Sequence, residues 1–267
     1  MTTYLDLFRY RELFGSLFRR DLRSKYKGSA LGLAWSLAHP VLLMLVYLLV
    51  FSVMLKIQTA ASYDHYWLFL LAGLPVWVFF ATSLQSASSS LVENANLIRK
   101  VRFPRQLVPL SIVATQLVSF GVMLAIVVVF SLVYVPEARD TVWLAVPLSL
   151  LVVCLTSGIS LAVAALNALY RDVEHVVAAL LLPLFFLTPV LYSLETIPGV
   201  RDQPRLIDAI HYGNFLAPAV EAMRDPIFFG RVPAAGDAVY LAVSAVVALA
   251  LGSYVFVRVD DRVAVEV

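Results

Sequence analysis

The stretch Arg19–Pro40, RRDLRSKYKGSALGLAWSLAHP, has two halves of opposite chemistry. The first carries Arg19, Arg20, Arg23, Lys25 and Lys27; from Ala30 the chain turns apolar and stays predominantly so to Leu55. A charge at the centre of a bilayer costs roughly 2.5–3.5 kcal/mol on insertion scales, so this switch marks a membrane surface. Lysine and arginine are enriched in cytoplasmic loops, which places the basic half on the cytoplasmic side and orients everything that follows. The chain reads as an integral membrane protein.

Composition points the same way. The 267 residues are 61% hydrophobic and 14% charged, with a mean hydropathy of +0.86. A soluble domain carries roughly 25% charged residues, so a soluble enzyme is the class most plainly excluded. The length suits one membrane domain over residues 1–267. Cys154 is the lone cysteine and lies in an apolar run, which leaves no disulfide framework or cysteine-based metal site. A leader peptide is not expected, because a charged segment of about thirty residues precedes the first long apolar run.

Upstream of the switch, Leu7, Tyr10, Phe14, Leu17, Phe18 and Leu22 recur at three- and four-residue spacing within Tyr4–Lys27. That pattern predicts an amphipathic helix lying on the membrane, the alternative being a solvent-exposed helix packed on a protein partner, with Arg9, Glu12, Arg19, Arg20 and Arg23 opposite the apolar stripe. Asp21 and Lys25 fall near that stripe and blur it. Residues 1–28 are therefore expected to form a cytoplasmic interfacial helix, with Gly28 and Gly32 at the turn into the bilayer.

Downstream, residues 31–194 are expected to hold five spans. These are Leu31–Leu55, Tyr66–Ala87, Leu107–Val135, Val142–Leu169 and Val176–Leu194, each long enough for a hydrocarbon core of about 30 Å. Pro183 and Pro189 predict a kink in the fifth. Glu195–Ala235 mixes charge with apolar runs too short to span, a pattern suited to re-entrant short helices at the extracellular side. A sixth span, Ala238–Val257, and a tail, Arg258–Val267, complete an all-α polytopic protein with both termini cytoplasmic. Fourteen of the twenty basic residues then lie inside, as the positive-inside rule requires.

No Asp, Glu, Lys or Arg sits near the middle of a proposed span, where ion-coupled transporters place ionisable groups. There is no GxxxxGK[ST] phosphate loop, no HExxH and no credible carboxylate pair. Uphill movement of a cargo would take its energy from another chain. His39, His65, His175 and His211 are scattered near proposed interfaces and read as structural. The chain is not expected to be an enzyme, to bind a cofactor or metal, or to take a nucleic-acid partner.

Three stretches in order resemble the permease subunits of ABC transporters that export lipid-linked polysaccharides, of the O-antigen and teichoic-acid type. They are Arg23-Ser24-Lys25-Tyr26-Lys27-Gly28-Ser29 with Leu31-Gly32, Trp35 and Pro40; Asn96–Pro104 with Pro109; and Asn167 with Tyr170–Val173, continuing at Thr188-Pro189-Val190, Tyr192 and Ile197-Pro198. Asn214–Pro218 followed by Arg224 is a weaker echo.

The resemblance implies a homodimeric channel in the bacterial cytoplasmic membrane, working among membrane lipids with two copies of a separate ATPase that binds ATP and Mg. It also implies that Glu93–Pro104 forms a helix docking on that ATPase. Arg99, Lys100 and Arg102 would pair with acids, Leu97, Ile98 and Phe103 would pack, and Arg23 and Tyr26 would add a second contact. Attraction to anionic lipid is the competing account of those basic residues. Aromatic faces suit weak, repeated binding of sugar rings, which makes Tyr47, Phe51, Phe185 and Tyr192 candidates for the substrate path. An ABC exporter of a drug or small lipid, and a non-transporting envelope-assembly scaffold, are the alternatives.

Overall fold

A computed structural model of the chain describes residues 10–24, 35–50, 65–101, 103–194 and 203–266. Among these are ten α-helices and no β-strand. We number them α1 Arg11–Ser24, α2 Trp35–Tyr47, α3 Tyr66–Glu93, α4 Ala95–Lys100, α5 Leu107–Tyr134, α6 Ala145–Leu169, α7 Val173–Leu187, α8 Pro204–Gly213, α9 Ala217–Arg224 and α10 Ala235–Glu266.

The centre of the bundle is α3. Its first half, YWLFLLAGLPVWVFF, is apolar on every side, and a helix of that kind is stable only when surrounded. Leu68, Phe69, Leu70 and Leu71 are four successive residues and all are buried. Around α3 pack α5, α6, α7 and α9, while α10 lies along α6 for much of its length. That last pairing is close because both helices carry glycine where they meet. A Cβ at Gly158 would fall on the backbone of Ala248, and one at Gly252 on the carbonyl of Gly158.

Outward faces stay apolar. Val129, Val133, Leu150, Leu182 and Val246 are all at least 60% exposed. In water such faces would associate; in hydrocarbon they are at home, and the long helices satisfy their own backbone polar groups. Tyr66–Glu93, Leu107–Tyr134, Val142–Leu169 and Ala235–Asp260 are long and apolar enough to cross a membrane. Val41–Val50 and Val173–Leu187 are apolar but shorter.

One of these differs from the sequence expectation. Residues 31–34 and 51–55, the two ends of the first expected span, lie outside the described residues. The fifth expected span does not persist as a helix to Leu194. It starts early, at Val173, and stops at Leu187 after about 22 Å of rise. Pro189 is the reason: a proline disfavours helical backbone in the residue before it, and Thr188 is extended (φ −87°, ψ 129°). Pro183 is tolerated within the helix. The tail, by contrast, continues α10 as helix to Glu266.

At the end of the bundle away from α4, a short 3₁₀ turn, Pro136–Asp140, meets the π-turn Asp225–Phe229 that follows α9. Gly230 closes that turn in the left-handed region (φ 60°), and a Cβ there would strike Glu137. Thr141 Oγ1 donates to the Pro226 carbonyl over 2.9 Å.

Candidate functional site

The basic end of the molecule is assembled from α1, α4 and the adjoining ends of α3, α5 and α10. The break between α3 and α4 falls at Asn94, whose Nδ2 donates to the Ser90 carbonyl over 2.8 Å. Beyond it, α4 is short enough that one face decides its position. Ile98 is buried among Leu91, Val108, Leu161, Ala165 and Phe256, and Phe103 packs against the same cluster. Leu97 is half-buried, whereas Arg99 and Lys100 are exposed. Glu93 is also exposed and accepts a 2.6 Å hydrogen bond from Ser89. Arg23 is exposed on α1; Tyr26 and Arg102 lie outside the described residues. Ile98 and Phe103 thus hold this loop to its own bundle, while Arg99 and Lys100 face out.

Asp21 explains the blurred stripe of the amphipathic helix. It is buried, and its carboxylate accepts from Ser111 Oγ of α5 (2.8 Å) and from Nε and Nη2 of Arg20 (2.9 and 2.7 Å). The same Nη2 donates to Asn94 Oδ1 over 2.7 Å. The α1 helix is therefore fastened both to a long helix and to the α3–α4 joint. Just past α4, Arg105 Nη1 donates to the Asp260 carbonyl (2.6 Å) and carboxylate (3.0 Å), tying this loop to α10.

The opposite end is organised by a residue whose burial the sequence did not reveal. Arg224 is fully buried. Its Nη1 donates to Glu221 Oε1 (2.7 Å), and its Nη2 to the carbonyls of Pro189 (2.9 Å) and Val190 (3.0 Å). Its guanidinium lies 3.8 Å from the centroid of the Phe69 ring. Buried charge is tolerated only with this degree of pairing. Gly73 makes the room, since a Cβ there would come within 2.7 Å of Nη2. Nearby, Asn214 Nδ2 donates to Thr188 Oγ1 (2.9 Å), and Tyr66 Oη to the Leu191 carbonyl (2.7 Å). The two separate stretches Thr188–Val190 and Asn214–Arg224 are thereby one polar knot.

From α8, His211 Nε2 meets Asp237 Oδ1 at 2.7 Å at the start of α10. Burial pulls the imidazole pKa down, but the hydrogen bond and charge of Asp237, with Glu221 and Asp208 behind, carry it above the ordinary histidine value. Tyr240 Oη donates to the Tyr212 carbonyl over 2.7 Å, a second tie between the same helices.

The aromatic candidates divide. Tyr47 is half-buried and its ring sits edge-on to Phe185 at 5.8 Å. Phe185 itself is 5% exposed and packs against Trp77, inside the core of this chain. Tyr192 lies beyond the end of α7, not on a shared helical face with Phe185, and its Oη donates to the Phe186 carbonyl over 2.7 Å. Phe51 lies outside the described residues.

These features define a class: a multi-pass, all-helical membrane protein whose short, cation-bearing helix projects from one end of a long-helix bundle. Residues 12–228 match the family described as ABC-2 type transporter. The chain is 34% identical over 254 residues to the O-antigen export system permease protein RfbA of Myxococcus xanthus, covering 94% of each. It is 33% identical to a protein of the same name from Klebsiella pneumoniae, over 70% of this chain and 71% of that one. It is 24% identical to the polysialic acid transport protein KpsM of Escherichia coli, over 89% of both. The chain belongs to the ABC-2 type transporter family.

Proposed function

We propose that this chain is the permease subunit of an ABC transporter that exports a cell-envelope polysaccharide across the bacterial cytoplasmic membrane. The observation that carries the reading is the near end-to-end likeness to an O-antigen export permease, at 94% of both lengths. The geometry supports it. A loop pinned from within by Ile98 and Phe103 while Arg99 and Lys100 face out is built to be pushed by a docked partner. The absence of a phosphate-loop sequence makes that partner the ATPase, the holder of ATP and Mg. This chain makes and breaks no bond; its work is mechanical coupling.

In this reading two copies form the channel with two ATPase subunits, and the basic end faces the cytoplasm. The four long helices are joined as spans by the two shorter apolar ones, giving six, with both termini inside. Helices α8 and α9 are the re-entrant pieces at the outer side. Tyr47 touches the passing sugar, and Phe51, outside the described residues, shares that role; Phe185 and Tyr192 form the wall behind it. The cargo is a lipid-linked glycan such as an O-antigen or teichoic acid.

The test is ATP-dependent movement of a lipid-linked glycan across vesicles holding this protein and its ATPase. Glycan on the far side only with ATP supports the reading. ATP hydrolysis with movement of a drug or small lipid instead would replace the cargo, and no association with an ATPase would leave a scaffold. Alanine at Arg99, Lys100 and Arg102 together is expected to abolish stimulation of the ATPase while leaving the helical fold intact; unchanged stimulation and export would remove the docking role.

A further inference from the structure

Between α1, α3 and α5 at the basic end lies a cavity of about 360 Å³. Ser86 and Gln116 line it, joined by a 3.2 Å hydrogen bond from the amide Nε2 to the hydroxyl. Ser24 and Thr115 add hydroxyls, and Arg20 and Glu93 stand at its edge. We infer that this cavity is a loading site for one sugar unit of the exported glycan, recognised through its hydroxyl groups.

Three observations carry the choice of ligand. First, hydroxyl and carboxamide groups donate and accept at once, which matches a sugar ring better than any group of fixed polarity. Ser24 donates to the Asp21 carbonyl and Thr115 to the Ser111 carbonyl, so both oxygens keep lone pairs for a ligand hydroxyl. Second, the charge of the described lining does not favour phosphate. Among the described lining residues Arg20 is the one cation, and its Nε and Nη2 are engaged by Asp21 and Asn94. Two carboxylates, Asp21 and Glu93, would repel an anion. Third, the volume is at the low end of the roughly 300–1,000 Å³ of small-molecule sites, so it holds a single unit and not a chain.

Position gives the site a purpose. Asn94 lines the cavity and is also the joint between α3 and α4, and Arg20 bridges that joint to α1. A sugar lodged there touches the same hydrogen-bonded unit that carries Arg99 and Lys100. Occupancy and ATPase docking therefore share a hinge. The inference rests on the export reading for its ligand.

The assembled transporter, this chain with its ATPase in lipid nanodiscs, is probed with glucose and N-acetylglucosamine by saturation-transfer NMR. Saturable signal is expected, and it should weaken about tenfold in Gln116→Met, which keeps the shape and removes the amide bonds. Ser86→Phe fills the cavity and should abolish the signal; co-purification with the ATPase checks that both variants fold. Signal of equal strength in wild type and variants overturns the site. Displacement of the sugars by phosphoethanolamine or inorganic pyrophosphate overturns it too, since the cavity would then be a headgroup or phosphate site. A transporter that moves glycan but gives no sugar signal removes this inference and leaves the export reading standing. Sugar binding lost in both variants, in an assembly that moves no glycan, keeps the site and removes that reading.

Discussion

Deleting the Arg224 side chain would leave Glu221 and two backbone carbonyls without their donor. Breaking one side of a buried pair costs about 3–5 kcal/mol, so Arg224→Ala should lower the thermal midpoint of the detergent-solubilised protein sharply. Lysine should not rescue it, because an ammonium cannot reproduce the fork and the ring stacking together. An unshifted midpoint in Arg224→Ala would show that the knot is not holding that end. His211 supplies a prediction in pH. Its folded pKa stands above the ordinary value of about 6.5, so its pairing with Asp237 is complete below that value and fades as pH rises through the raised one. Amide protection of residues 204–213 should fall over that climb, and Asp237→Asn should flatten the dependence. Neither Arg224 nor Asp21 showed its structural role in the sequence. Arg224 sits among apolar runs too short to reveal burial, and Asp21 registered only as a flaw in a helical stripe, though the flaw marks the anchor.

At the scale of elements, the α6–α10 pairing depends on Gly158 and Gly252 having no side chain. Gly158→Leu should separate the helices, at the cost of about 1–3 kcal/mol typical of overpacking or more, seen as loss of folded protein in gel filtration. Normal elution and midpoint would contradict so close a contact. Arg105 and Asp260 invite a charge exchange. Arg105→Asp alone should weaken ATPase stimulation, and adding Asp260→Arg should restore part of it; equal stimulation in all three proteins would mean the tie transmits nothing. Most helices were legible from hydrophobic length alone, because in a bilayer composition nearly dictates the outcome. The early end of α7 was the exception. Pro183 and Pro189 look alike in the sequence, yet the helix absorbs one, while the other coincides with the carbonyls that Arg224 requires.

For the molecule as a whole, the exposed apolar faces of α2 and α7 belong to the two shorter apolar helices, and Tyr47 lies between them against Phe185. If two copies close a channel, the solubilised chain should run near twice its 29.5 kDa protein mass in light scattering after correction for detergent; a monomer within the active assembly would refute the dimer. The site was less legible than the fold, since recognition of a partner or a sugar depends on which residues turn outward, and periodicity alone did not tell Ile98 from Arg99. One further consequence follows from α10. Between Asp237 and Asp260 it is an unbroken rod of about 35 Å, gripped at one end by a histidine and at the other by an arginine. Of the two holds, the histidine's weakens as pH rises through its raised pKa. The rod therefore behaves as a drive shaft with one bearing and one clutch, and the pH at the histidine's end sets how firmly the clutch engages.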